Sequence, residues 1–132
     1  MKKAKIWGLL LIALMTGQQA MSDDTNSEVY SYVEVMPVFP GGEVAMANFI
    51  TKNLRYPEAA RAAGVQGKVY VSFVVKKTGD VSNVQVERSV HPLCDAEAVR
   101  VIKAMPKWIP GKQNGQNVNV KFTLPIAFKL AE

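Results

Sequence analysis

His91 and Cys94 are the two side chains of this sequence whose types and spacing come nearest to a catalytic group. They are the single histidine and the single cysteine of the chain, and they lie three positions apart. An imidazole beside a thiol can activate it as a nucleophile. However, Pro92 stiffens the loop between them, and no third group that would orient the imidazole is evident. We therefore interpret Cys94 as a small buried hydrophobic residue and His91 as a loop residue, with a thiol–imidazole enzyme as a distant alternative.

The other segments that suggest chemistry are incomplete. The sequence FPGGE at Phe39–Glu43 has two glycines but lacks the lysine and the hydroxyl residue of a phosphate-binding loop. A single histidine excludes metal sites built from several histidines. Glu87, Asp95 and Glu97 fall at positions expected to be solvated or to cap a helix. The sequence therefore predicts a protein that is not an enzyme, with no catalytic residue, metal site or cofactor.

Length and composition indicate one globular domain. The chain has 132 residues and a formal net charge of +5, which is enough length for a single hydrophobic core. Its lysines and arginines are scattered, without a basic run or a patch interleaved with aromatic residues, so nucleic-acid binding is not predicted. One cysteine cannot form a disulfide within the chain. The fold must therefore depend on burial of apolar side chains.

Residues 1–22 have the pattern of a secretory signal peptide. Lysines precede the apolar run Ile6–Met15, and the small residues Ala20 and Ser22 follow it. Ten helical residues rise only about 15 Å, about half of a hydrocarbon core of about 30 Å. Cleavage and export are therefore favoured, with a mature start near Asp23. An uncleaved membrane anchor is the alternative.

Three helices are predicted from apolar spacing and helix-end signals. The first covers Glu43–Leu54. A second, short helix follows, with Pro57 in its first turn and Gly64 just past its end. The third begins with Asp95 as its N-cap and ends at Met105, before a proline.

Period-two alternation predicts the strands. The segment Gly67–Arg88 reads as a hairpin with a turn at Lys77–Asp80, where Gly79 can take a positive φ. The run Val29–Val35 is an optional strand, and Gly115–Leu130 is a long last strand. The expected fold is α+β: a small antiparallel sheet of about three main strands, a possible extra N-terminal strand, and helices on one face.

Pro125 makes the last strand an edge strand, because proline cannot donate a ladder hydrogen bond. The N–H and C=O of a strand residue point to the same edge. If Pro125 faces the outer edge, then Asn119, Lys121 and Thr123 also present their backbone groups outward. A partner peptide could add there as a further strand. The residues alone equally allow that Pro125 only blunts the edge against aggregation.

The order of several residues along the chain carries a family resemblance. These residues are Tyr56, Pro57, Ala60, Gly64, Gly67, Gly79, Asp95, Glu97, Ala98, Met105, Pro106, Trp108, Pro110 and Gly111, followed by the alternating last strand. From about Val33 to Leu130 the sequence resembles the TonB C-terminal domain family. The upstream run MPVFPGGEVAMANFITKNLRYP resembles the extended form of this domain that is common among Bacteroidetes-like members.

The resemblance implies a periplasmic domain that grips the TonB box, a short N-terminal peptide of outer-membrane receptors, by strand addition to its last strand. The partner-binding residues it implies are Asn119, Lys121, Thr123 and Pro125. The fold it implies is the antiparallel sheet with helices on one face that the residues already predict. Full-length members of the family are anchored in the inner membrane and couple to an ExbB–ExbD motor in TonB-dependent transport.

The sequence thus divides into a signal peptide or anchor at 1–22, a polar lead with a possible strand at 23–35, and a TonB C-terminal-like domain at 36–132. The stretch 23–36 reaches only about 50 Å when fully extended, which is too short to cross a periplasm. Three further roles therefore stay open: a soluble modulator without force transmission, an inner-membrane-anchored transducer facing the periplasm, and a homodimer that exchanges Val29–Val35.

Overall fold

A computed structural model describes residues 28–130, and this part of the chain forms three helices and five strands. The predicted signal peptide at 1–22 lies outside the described residues. The strands are β1 (Val29–Tyr30), β2 (Gly67–Val75), β3 (Val81–Arg88), β4 (Gly111–Gln113) and β5 (Gln116–Phe128). The helices are α1 (Glu43–Asn53), α2 (Glu58–Ala62) and α3 (Pro92–Lys103). No helix in the described range is both long enough and apolar enough to cross a membrane.

The sheet has the strand order β1–β5–β2–β3, and β4 pairs with β5 outside this path. β2 is antiparallel to both of its neighbours, and its register with β5 runs without a shift from Gly67–Phe128 to Val75–Val120. β1 is parallel to β5. The predicted α+β class is confirmed, but the sheet is mixed because its N-terminal strand runs parallel to its neighbour.

The core forms where alternate residues of β2 and β5 meet the helices. The buried cluster includes Val69, Val71, Phe73 and Val75 of β2, Leu124, Ile126 and Phe128 of β5, Ala60 of α2, and Cys94, Ala98 and Ile102 of α3. Side chains alternate between the two faces of a strand, so the even-numbered positions of β5 build the core, as the sequence predicts. Each large apolar side chain buried in this way contributes about 1.5–3 kcal/mol.

Trp108 lies in an aromatic cluster at the centre of this core. Its side chain is buried, and its ring is within 5.3–5.7 Å of the ring centroids of Phe39, Phe73 and Phe122. Edge and tilted arrangements at these distances are the favourable ones for aromatic pairs. Trp108 therefore anchors the packing of the aromatic side chains in the core.

The β2–β3 turn is held against the Trp108 backbone. Gly79 has φ +94°, and its carbonyl accepts a hydrogen bond of 2.9 Å from the Trp108 N–H. A Cβ on Gly79 would lie 2.4 Å from the Trp108 carbonyl oxygen. Glycine is therefore required here both by the backbone conformation and by the close approach of another segment.

The N-cap of helix α3 lies four residues earlier than the sequence predicts. His91 is its N-cap, with Nδ1 accepting a 3.1 Å hydrogen bond from the Leu93 N–H, and Pro92 occupies the first helical position. Asp95 therefore lies in the first turn and not at the cap. Its carboxylate accepts the Val90 N–H at 3.0 Å and the Ser89 hydroxyl. The prediction of Asp95 as N-cap is wrong because another residue could cap the helix and proline is favoured at the first position.

Two of the strands, β1 and β4, differ from what the sequence predicts. β1 ends at Tyr30, because Val33 leaves the sheet edge to become buried and Val35 instead bridges Lys112. β4 was not predicted, because Gly111–Gln113 is short and has no apolar alternation. It forms because Asn114 and Gly115, both at positive φ, make a two-residue turn into β5 of the kind that joins antiparallel strands.

Candidate functional site

The outer edge of β5 is open over most of its length. At Val120, β5 lies between β2 on one side and β1 on the other. From Lys121 to Phe128, β5 pairs with β2, and no other strand of the described residues pairs with it there. Within residues 28–130, this eight-residue segment therefore presents one edge without a strand partner, which is the arrangement that can accept an additional strand.

Three of the four predicted binding residues lie on this open segment: Lys121, Thr123 and Pro125. The fourth, Asn119, lies where β1 covers the edge. Its side chain is buried and joins two segments, since Oδ1 accepts the Lys77 N–H at 2.8 Å and Nδ2 donates to the Glu28 carbonyl at 3.1 Å. The open part of the edge therefore begins at Lys121.

The position of Pro125 opposite Tyr70 indicates which backbone groups face outward. Opposed residues of an antiparallel pair alternate between hydrogen-bonded and non-hydrogen-bonded. Proline has no N–H to give to β2, so the ladder stays complete only if Tyr70–Pro125 is a non-hydrogen-bonded pair. The same alternation then directs the backbone groups of Thr123 and Ala127 away from β2.

A groove of about 530 Å³ runs beside the C-terminal half of this edge. Pro125, Ala127, Phe128 and Lys129 line it from the β5 side. Ala47, Ile50, Thr51, Leu54, Tyr56 and Arg61 line it from α1, α2 and the segment between them. A strand added to β5 would therefore find a channel for its side chains with both apolar and polar lining, which is the second requirement of strand-addition recognition.

Tyr56 connects the two walls of the groove. Its ring packs edge-on against Phe128 at 5.6 Å between centroids, and its hydroxyl donates to the Val65 carbonyl. The Arg61 guanidinium lies 5.5 Å from the centroid of the same ring. Burial raises the pKa of Tyr56, an effect that the nearby Cys94 reinforces and Arg61 opposes. Tyr56 thus stays a neutral hydrogen-bond donor at neutral pH.

An ion pair fixes the segment that follows α1. Glu97 of α3 accepts the Arg55 N–H at 2.7 Å and two hydrogen bonds from Arg100, and Arg100 also donates to the Asn53 carbonyl at 2.7 Å. The pKa of Glu97 is lowered mainly by its hydrogen bonds with Arg100. Desolvation opposes this effect, and the hydrogen bond from the Arg55 N–H lowers the pKa further. This contact holds Leu54, a groove residue, in place relative to α3.

The remaining family-motif residues support the site from a distance. Pro57 is the N-cap of α2, and Gly64, at φ +70°, closes that helix with the paired bonds of a Schellman motif. Gly67 begins β2 against Val90, and Pro110 and Gly111 lead into β4. Gly111 is packed so closely that a Cβ would lie 2.8 Å from a methyl group of Val120.

His91 and Cys94 do not form a catalytic pair. The His91 Nδ1 is engaged in capping α3, and Cys94 is fully buried, with a pKa raised by that burial and by Asp95. A low thiol pKa and exposure are what a reactive cysteine needs. Nor do the described residues contain a group of three or more potential metal ligands.

Sequence reasoning did not identify the far wall of the groove as part of the site, namely Ala47, Ile50, Thr51, Leu54 and Arg61. The helical spacing of Ile50 and Leu54 predicted an apolar face but not where that face would lie. These residues approach β5 only through the tertiary fold, and no local pattern records that approach.

Comparison with known proteins gives consistent matches. The model of the family described as Gram-negative bacterial TonB protein C-terminal matches residues 52–130. The chain is 31% identical over 84 residues, 63% of its length, to the TonB proteins of two Helicobacter pylori strains, 26695 and J99. It covers 28% and 29% of those proteins, and so spans less than a third of their length.

Solved structures of the same kind are also similar. The solution structure of Helicobacter pylori TonB-CTD residues 179–285 matches with a TM-score of 0.51 and 26% identity, over 65% of this chain and 78% of that one. The shorter form, residues 194–285, matches with a TM-score of 0.50 and 26% identity, over 69% of this chain and 98% of that one.

Proposed function

The chain belongs to the Gram-negative bacterial TonB C-terminal domain family, and from that premise we propose that it binds an extended peptide as an added strand on the open edge of β5. The peptide is the TonB-box segment of an outer-membrane receptor, and binding takes place in the periplasm. Family membership also agrees with the expectation of a binding domain and not an enzyme.

The observation that carries this proposal is the eight-residue edge from Lys121 to Phe128, which has no strand partner among the described residues. An exposed edge of this length is an aggregation hazard unless it is blunted or used. Pro125 blunts one position. The groove beside the edge favours a binding role for the edge, because an edge that is only protected against aggregation needs no channel for the side chains of a partner.

We further propose that the domain serves TonB-dependent transport. A domain that holds a receptor peptide can transmit force only if another segment ties it to the inner membrane and to an ExbB–ExbD-type motor. Without such a tie the same edge makes the chain a soluble modulator that occupies receptor peptides. If residues 1–22 are removed on export, the chain acts as the soluble modulator. If they remain as an uncleaved anchor, the chain can transmit force.

The proposal is tested by placing a second proline on the outer edge. Thr123→Pro should abolish binding of synthetic peptides that carry the N-terminal segments of the same bacterium's outer-membrane receptors. The far-UV circular dichroism should be retained, because the Thr123 N–H is not part of the internal ladder. Fluorescence anisotropy of labelled peptides measures the binding.

Two matched variants make this test decisive. Thr123→Ala keeps the backbone N–H and should bind within about twofold of the wild type. Leu124→Pro removes an internal donor and should unfold the domain. If Thr123→Pro binds normally, or unfolds while Leu124→Pro folds, the assigned edge is wrong. If light scattering shows that the wild type dimerises with increasing concentration, and no receptor peptide reduces this dimerisation, edge pairing between two copies would be favoured instead.

A further inference from the structure

The groove beside β5 carries an unbalanced positive charge. Arg61 and Lys129 are among its ten lining residues, and none of those ten is an aspartate or a glutamate. The other lining residues are mainly apolar or small, with Thr51 and Tyr56 as the uncharged polar ones. An added peptide would therefore meet a partly apolar channel that holds two cations.

Among residues 28–130, neither cation takes part in an ion pair. The ion pairs found among residues 28–130 are Arg100–Glu97, Lys107–Asp80 and Lys121–Glu87, and none of them involves the groove. Arg61 lies over the Tyr56 ring, and this cation–π contact orients the guanidinium without using up its hydrogen-bond donors. Arg61 therefore keeps its donors available for a planar acceptor such as a carboxylate.

We propose that the groove selects peptides in which an acidic side chain faces Arg61 and Lys129 while an apolar side chain on the same face of the peptide contacts Ile50 and Leu54. This inference rests on the proposed strand addition at β5 and specifies the chemical class of its ligand. Residues two apart on an added strand point to the same face and lie about 6.4–6.8 Å apart. The acidic and apolar side chains therefore stand two positions apart, or a multiple of two.

The test uses amide-for-acid replacement in both partners. Each receptor peptide that binds the wild-type domain is synthesised with every Asp changed to Asn and every Glu to Gln, one at a time. Each version is titrated against the wild type, Arg61→Gln, Lys129→Gln and Lys112→Gln. Lys112 is an exposed cation of β4 outside the groove, so its variant controls for the loss of net charge.

At one peptide position, the amide replacement should weaken binding to the wild type about five- to tenfold. The same replacement should change binding to Arg61→Gln by no more than about twofold, because the partner of the carboxylate is already absent. For Lys129→Gln, the amide replacement should weaken binding less than it does for the wild type but more than it does for Arg61→Gln. Lys112→Gln should behave like the wild type. Arg61→Lys should recover part of the preference for the acidic peptide.

Failure of this inference can be told apart from failure of the proposed function. If peptides bind at the Thr123 edge but lack acidic residues, or if every amide replacement is neutral, the charge selection is wrong and strand addition stands. If amide replacement weakens binding equally to wild type and Arg61→Gln, the acid is recognised elsewhere. If no receptor peptide binds at all, the proposed function itself is overturned.

Discussion

At the scale of single residues, side chains that suggest chemistry are used to build the fold. His91 caps a helix, Cys94 fills the core, and Glu97 joins α3 to the backbone after α1. The sequence indicated the burial of Cys94 correctly because its neighbours are apolar. It could not indicate the role of Glu97, because Arg55 lies 42 positions away and meets it only in the folded chain.

The Glu97 contact makes part of the stability depend on pH. A carboxyl whose pKa is lowered in the folded state stabilises that state above its unfolded pKa, about 4.3. This contribution is lost as the pH falls from there through the folded value. Glu97→Gln should therefore reduce the free energy of unfolding by about 1–2 kcal/mol at pH 7, and the gap to the wild type should narrow as the pH falls below the unfolded pKa of about 4.3. Urea denaturation at a series of pH values measures it.

Glu43→Gln provides the comparison for this experiment, because Glu43 is an exposed acid in the first turn of α1. It should lower the stability by no more than about 0.5 kcal/mol. If the gap between Glu97→Gln and the wild type does not narrow as the pH falls below about 4.3, the Glu97 charge contributes nothing to the stability of the fold.

At the scale of elements, period-two alternation predicted β2 and β5 well, because both strands bury one face. The prediction for β1 extended too far: Val29–Val35 is rich in β-forming residues, but its second half leaves the sheet edge to bury Val33. β4 carries no apolar pattern at all, and its pairing follows from the turn that precedes β5. Apolar alternation therefore predicts strands that bury one face. Whether a short segment such as β4 forms a strand depends instead on its pairing with a neighbouring strand.

The β2–β3 turn gives a prediction at this scale. Gly79→Ala should destabilise the domain by about 2–4 kcal/mol, because a positive φ costs about 1–2 kcal/mol for alanine and the new methyl group would meet the Trp108 carbonyl. Thermal unfolding followed by circular dichroism measures the loss. Gly115→Ala serves as a matched control: it has φ +76° but nothing within 4 Å of its Cβ. If both variants lose equal stability, the contact with Trp108 does not constrain the turn.

At the scale of the whole molecule, the candidate site is an edge and a groove that no single element contains. The edge could be predicted from the sequence because Pro125 interrupts an otherwise regular strand. The groove could not, because its walls come from α1, the segment after it, α2 and the end of β5. Those segments are brought together by contacts such as Tyr56–Phe128, which leave no periodic signal in the sequence.

The central claim, that odd-numbered backbone groups of β5 receive a peptide strand, is tested most directly by amide hydrogen exchange with and without a bound receptor peptide. The N–H groups of Leu124 and Ile126 bond to β2 and should exchange slowly in both states. Those of Thr123 and Ala127 should exchange rapidly in the free domain and become protected at least about tenfold when the peptide binds. Thr123 and Ala127 amides that are already protected in the free domain, or that gain no protection while peptide is bound, would contradict the account.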